Sequence, residues 1–341
     1  MYKPTDDKYG TYVPPSERLW EEHRAAEVAA DPLKAEADCL LEKSIEQYQI
    51  RDFEAALKTG QQALDLYRIT RDLQGKCRVL CSLGLTYYAL GNYPEAIACS
   101  RQSLDIARRI ADRPTERQAL ANLGNAYRHL EDYPRAIDYK QKSLALAQAI
   151  QDDRGEMAAL NNLGMVYRAM GDCPQAIYYY EQSLTSAREL NDLQVEGQIL
   201  RNLGNAYHSM GNYRKTVECY EQLLAIARQL PDRHSEMQIL KNLASACYTL
   251  GESAKAIAYH EQRLMLARKI RDRRHEEQAL ESLSVIHESL GAYEQAIDYH
   301  EQRLLVAQLI HDHQLVQQVM ASIRTACYAI GDYTRASQYR E

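Results

Sequence analysis

Four asparagines stand forty residues apart, at Asn122, Asn162, Asn202 and Asn242. Asparagine is a poor helix former, so its recurrence asks for a chemical reason. Its amide carries a donor and an acceptor, which complement either the backbone of an extended peptide or an adjacent helix. Basic residues recur close by, as Arg78, Arg128, Arg168, Arg201 and Lys241. A guanidinium can hold a carboxylate through two bonds, so these positions suit acidic side chains. Asn125, Asn205, His208 and Tyr248 fall among them.

Other chemistry is poorly provided for. His260 and His300 each begin His-Glu-Gln-Arg, without the second histidine of a His-Glu-x-x-His zinc helix. Both recur where packing residues belong. His311-Asp312-His313 falls at a turn and offers only adventitious metal binding, so no metal or cofactor is expected. Arg268, Lys269, Arg271, Arg273 and Arg274 make a basic patch without interleaved aromatics, which reads as solvated surface and not as a nucleic-acid platform. The net charge of −6 also argues against a nucleic-acid binder. With no phosphate loop, nucleophile elbow or supported carboxylate pair, no enzymatic activity is expected.

The eight cysteines contain no Cys-x-x-Cys and read as reduced thiols in a cytoplasmic protein. No apolar run approaches the roughly 18 residues of a membrane helix. The segment Met1–Asp7 lacks the apolar core of a secretion signal.

The elements that must position these residues follow from the same spacing of forty. Leu-Gly recurs at 83–84, 123–124, 163–164 and 203–204, then softens to Leu243-Ala244 and Leu283-Ser284. Leu120, Leu123, Gly124 and Tyr127 step by three and four, which is one helical face. Ala136, Ile137, Lys140, Leu144 and Ala147 repeat that spacing on a second helix. Gly91, Gly171 and Gly211 supply the left-handed conformation that ends the first helix. Pro94, Pro134 and Pro174 fall in the first turn of the second, where no donor is lost. The aspartates at 72, 112, 152, 192, 232, 272 and 312 cap the next first helix. Each row is therefore two antiparallel helices with apolar flanks, and only stacking buries them.

The order Leu120, Leu123-Gly124, Tyr127, Ala136 and Ser143 resembles the tetratricopeptide repeat. Asn122-Leu123-Gly124-Asn125-Ala126-Tyr127 and the two Tyr-His-Glu-Gln-Arg-Leu stretches at 259–264 and 299–304 are similar to the forty-residue subclass of the Pins and Leu-Gly-Asn adaptors and of bacterial signalling arrays. The C-terminal G-protein-binding motifs of those adaptors are lacking. The resemblance covers about residues 35–341 and implies an all-α, right-handed α-solenoid, a superhelix of antiparallel helix pairs. Seven pairs and an incomplete eighth are expected over 35–341. Residues 1–34 form an N-terminal extension with a helix ending before Asp31-Pro32, serving as a cap or as a tail lying in the groove.

The resemblance also implies that the first helices line a concave groove. The inner positions then include Asn122, Asn125, Arg128, Asn162, Arg168, Arg201, Asn202, Asn205, His208, Lys241, Asn242 and Tyr248. These hold basic residues and no acid, whereas the ends invert to Asp38 and Glu42 and to Glu281 and Glu288. A groove focuses such a field. The expected function is a non-enzymatic interaction scaffold that binds an extended partner segment carrying Glu or Asp. Two alternatives stand beside it. One is an assembly subunit that self-associates, through its N-terminal extension or its second-helix tyrosines. The other is a regulatory array of a larger signalling protein.

Overall fold

Each forty-residue row folds as a helix hairpin because its two apolar stripes are short and both its turns are punctuated. The computed structural model describes residues 15–229 and 232–339, with side chains from residue 32 onward. Among them the first pair is α1 (Pro15–Gln49) and α2 (Phe53–Ile69), and the second α3 (Leu73–Ala89) and α4 (Tyr93–Arg109). The third is α5 (Arg113–His129) and α6 (Tyr133–Ala149), and the fourth α7 (Asp153–Ala169) and α8 (Cys173–Glu189). Then follow α9 (Leu193–Ser209) with α10 (Tyr213–Ala227), α11 (Arg233–Thr249) with α12 (Ser253–Ile270), and α13 (Arg273–Ser289) with α14 (Tyr293–Leu309). The last are α15 (His313–Ala329) and the short α16 (Tyr333–Ser337). The described residues contain no strand, and the fold is an all-α solenoid.

The chain divides inside α7 into two compact units, Met1–Val166 and Tyr167–Glu341. In the first, α3 lies against both α1 and α5, and α2 and α4 each pack between two first helices. In the second, consecutive helices from α8 to α16 pack in chain order. The repeated leucines at 83, 123 and 163 are buried in the first unit, as are those at 203, 243 and 283 in the second. The mid-helix glycine is a close-approach site. A methyl at Gly124 would stand 2.7 Å from Lys140 Cε, so a larger residue would displace that side chain.

Aspartate caps recur throughout. Asp112, Asp192, Asp232, Asp272 and Asp312 each accept from a backbone N–H of the helix they precede. Two local features depart from the sequence reading. Within pairs the left-handed residue is glycine, except Arg51 in the first and Glu131 in the third. Between pairs it is Arg71, Ala111, Gln151, Asn191, Arg271 and His311, with φ from 53° to 59°. These residues accept a conformation that costs about 1–2 kcal/mol for a residue with a Cβ, because the helices on either side are held by packing.

The second departure is at Pro32, which lies inside α1 and does not end it. Proline removes one intrahelical bond, but Ala25, Ala26, Ala29, Ala30, Ala35 and Ala37 favour helix on both sides, and Ala37 and Leu41 are buried against the array. The role of residues 1–34 as cap or tail turns on residues 1–31, whose side chains lie outside those described.

Candidate peptide-binding surfaces

In the first unit, the first-helix face encloses a cleft of about 340 Å³. Leu41, Ile45 and Tyr48 come from α1, Arg78, Cys81 and Leu85 from α3, and Gln118 and Asn122 from α5. Its walls are mostly apolar, and Arg78 is exposed at it. Asn122 is 3% exposed. Its amide nitrogen donates to the Cys81 carbonyl at 3.1 Å, and its oxygen accepts from Gln118 at 3.1 Å. That bond stitches α5 to α3, the stacking use that the sequence left open beside peptide contact. Burial pushes the Cys81 thiol up to about 12, so it stays protonated and inert.

Asn125 is also engaged. Its Oδ1 accepts from Lys140 Nζ at 2.6 Å, and the Ala121 carbonyl accepts from the same nitrogen at 2.8 Å. Lys140 is 0% exposed. Burial, then the charge of Arg128, holds its amine well below the usual lysine range. Arg128 is half-buried and donates to Tyr88 Oη at 3.2 Å. Its Nη2 also lies 3.0 Å from His129 Nε2, and that ring stacks on Tyr93. Burial and then Arg128 hold the imidazole below its usual value. Asn162 is half-buried in α7.

In the second unit, Arg168 and Lys241 are exposed, and Arg201 is half-buried. Arg201 lines a cleft of about 300 Å³ between α9, the end of α10 and the start of α11, over Leu223 and Ile226. Asn205 Oδ1 accepts from Tyr220 Oη at 2.6 Å, so the position of Asn125 again satisfies a polar tip from the second helix. Asn242 Oδ1 accepts from Gln238 at 3.1 Å, and Asn202 is half-buried. His208 is exposed, edge-on to Tyr213, and Tyr248 is 41% exposed.

Several charged residues escaped the sequence reading. Glu116, Glu236 and Glu276 are buried, each between two arginines: Arg108 and Arg113, Arg228 and Arg233, Arg268 and Arg273. The basic patch at 268–274 is thus partly a clasp across a turn, and the eight-residue step from arginine to glutamate was its signal. Arg303 is buried and bonds Glu277 through Nε at 2.7 Å and Glu281 through Nη2 at 2.6 Å. Arg263, its counterpart one repeat earlier, is 1% exposed. It makes a single bond, from Nη2 to Gln278 Oε1 at 2.7 Å, and its buried Nε and Nη1 have no partner among the described residues.

One group could hold a metal. Asp272 Oδ2 lies 2.8 Å from His275 Nδ1 and 3.7 Å from His234 Nδ1, and two imidazoles with a carboxylate suit zinc. The same aspartate also caps α13. His311 and His313 belong to no such group among the described residues. All eight cysteines are free. No helix among the described residues is long and apolar enough to cross a membrane.

Comparison with known proteins gives a consistent fold. A tetratricopeptide-repeat model matches residues 75–149, 116–189 and 195–269, and a second model of that repeat matches 279–309. No curated protein sequence matches. The chain is similar to a signal-transduction ATPase with a tetratricopeptide repeat sensor from Pyrococcus horikoshii, with 20% identity and a TM-score of 0.61. That match covers 89% of this chain and 51% of the other, so the chain spans about half of that protein. It is similar to the apo quorum sensor NprR from B. thuringiensis, at 14% identity over 95% of this chain and 90% of that one, TM-score 0.56. It is also similar to a Rap protein complexed with Competence and Sporulation Factor, at 15% identity over 89% and 77%, TM-score 0.53. At these identities the likeness is one of fold.

Proposed function

Since the chain belongs to the tetratricopeptide-repeat family, we propose that it is a protein–protein interaction scaffold, not an enzyme, and that its first-helix face binds an extended partner segment carrying Glu or Asp. One observation carries this reading. Arg168, Arg201 and Lys241, on the first helices of the second unit, have no ion-pair partner among the described residues. The arginines at the turns of that unit, Arg188, Arg228 and Arg268, are each closed on a glutamate. Uncompensated cations on a repeat face favour an acidic ligand. Asn202, Asn205, His208, Asn242 and Tyr248 supply polar and aromatic surface beside them. In the first unit Asn122 lines an apolar cleft, and Asn125, Arg128 and Asn162 lie elsewhere on its first helices, for the same segment or another. The Rap neighbour is itself a complex with a factor, which supports reading this fold as a holder of partners. The free thiols fit a cytoplasmic setting.

The test uses a fluorescein-labelled hexaglutamate probe, with hexaglutamine as the neutral control. Wild type should bind hexaglutamate with an affinity that falls as salt rises. Arg168→Glu with Arg201→Glu should weaken it while helicity and melting stay nearly unchanged. Equal affinity in that double variant overturns the reading.

Self-association through the second-helix tyrosines draws less support, since of Tyr139, Tyr178, Tyr179, Tyr180, Tyr220, Tyr259 and Tyr299 only Tyr178 is exposed. The reading as a regulatory array of a larger signalling protein is favoured by the Pyrococcus neighbour, whose aligned half is part of a longer chain. A native reading frame that encodes an adjoining ATPase would establish it.

A further inference from the structure

The sixth and seventh pairs repeat Tyr-His-Glu-Gln-Arg-Leu at 259–264 and 299–304, yet their buried cations are treated oppositely. In the seventh pair, α13 provides three carboxylates. Glu277 and Glu281 hold Arg303, and Glu288 Oε1 lies 2.9 Å from His300 Nε2. Forty residues earlier, on α11, the corresponding positions are Met237, Lys241 and Tyr248. At the positions from which Arg303 draws two acids, α11 thus carries an apolar chain and another cation, and Arg263 and Lys241 both act on His260. Arg263 turns forward to α13 and bonds Gln278, a neutral and exposed side chain. Asp272 and Glu277 act on it only at longer range, and Glu277 is already held by Arg303. A guanidinium cannot shed its proton, so two buried nitrogens, Nε and Nη1, remain without acceptors among the described residues.

We propose that a side-chain carboxylate from an acidic partner segment completes the sixth pair. It displaces Gln278 from Arg263, bonds the guanidinium through two nitrogens, and takes Lys241 as its second cation. The seventh pair shows the finished arrangement within one chain. Arg263, a second-helix residue, thereby becomes the specificity-determining contact of the first-helix face. This inference rests on the groove reading above and names one carboxylate subsite within it.

The experiment measures anisotropy of the labelled hexaglutamate, with Arg263→Met as the main variant. Methionine keeps the length of the side chain and removes only the fork and its charge. Losing hydrogen bonds to a charged group should weaken binding about tenfold or more, with circular dichroism unchanged. If Arg263→Met binds as wild type does while Arg168→Glu with Arg201→Glu loses binding, the groove reading stands and this subsite falls. If neither variant changes binding, both fall. Lys241→Glu places a carboxylate where Glu281 stands in the seventh pair, so it should raise the melting temperature and lower affinity for the probe. An unchanged melting temperature counts against the subsite.

A direct readout keeps the test decisive should Arg263→Met misfold. The Arg263 Nε–H resonance, assigned by arginine-selective labelling, should shift on adding hexaglutamate and not on adding hexaglutamine. No shift, or the same shift with acetate at equal carboxylate concentration, overturns the peptide subsite in favour of an adventitious anion.

Discussion

Lys140 in the first unit and Arg263 in the second are both buried basic side chains without a bonded carboxylate, and they resolve that problem differently. Lys140 can lose its proton. Burial holds its amine well below the usual lysine range, and the nitrogen meets two acceptors, the Ala121 carbonyl and Asn125. Arg263 keeps its charge and has one acceptor for its buried fork. The first arrangement is closed and needs nothing from outside. The second is complete only when an acid arrives, or when the chain supplies one, as it does for Arg303. Burial of a cation is thus not itself a sign of a binding site. The sign is burial of a cation that can neither neutralise nor find its counter-charge.

Matched substitutions offer the hardest break of this comparison. Arg303→Met removes the only cation bonded to Glu277 among the described residues, and breaking a buried pair in this way should cost about 3 kcal/mol or more in urea unfolding. Arg263→Met removes a charge with no bonded carboxylate and should be neutral, or stabilising by about 1 kcal/mol. Losses of similar size in both variants would erase the distinction between the two pairs.

The next effect is a pH dependence. Burial, with Arg263 and Lys241 nearby, lowers His260 to about 4. Below about 6.5 the unfolded chain takes up a proton that the folded imidazole refuses until about 4. The stability attached to His260 is therefore full above the unfolded value and is lost as pH falls between these values, by about 3 kcal/mol. Melting curves of wild type and His260→Gln should converge over this window. A parallel decline in both would remove His260 from the account. Arg263→Met should soften the wild-type decline, because one of the charges that depresses the imidazole is gone.

Lys140→Met should show the smallest effect, about 1–2 kcal/mol, because it strands the acceptors of two bonds at a site where burial already disfavours the charged amine. Its depressed amine also has a sign. The folded lysine gives up its proton at a lower pH than the unfolded chain does, so wild type should gain stability as pH rises towards the ordinary lysine range. The variant should lack that rise in urea midpoints measured from neutral to alkaline pH. If both midpoints move together, Lys140 is charged in the fold, and the contrast with Arg263 disappears.

The backbone was broadly legible because its signals are local. Leu83-Gly84 and its successors mark first helices by a spacing of three and four, and Asp112 or Asp272 marks the residue before a helix by its reach to backbone three positions on. Local signals misled at Pro32, where the alanines on both sides sustain the helix. They were silent at Ala111 and His311, whose left-handed backbone is imposed by the helices around them. The surfaces were less legible. Asn122 was read as one rung of an amide ladder and Asn125 as a groove position; Asn122 ties α5 to α3 and Asn125 receives Lys140. Both depend on partners fifteen or more residues away. Arg263 and Arg303 sit in one repeated hexapeptide, and nothing within it tells them apart.

By itself the sequence determined the period, the helices, their ends and the face each helix buries, because these follow from contacts within a few residues of chain. Only the tertiary structure decided which charges are compensated. Arg303 meets glutamates 26 and 22 residues back, while Arg263 meets a glutamine 15 residues ahead. Those distances are bridged by packing one helix on the next, and Coulomb energy depends on the separation of the side-chain tips and on the water excluded between them. Repeat spacing places two arginines in the same register, and the helix packed against each one determines whether its charge is already answered.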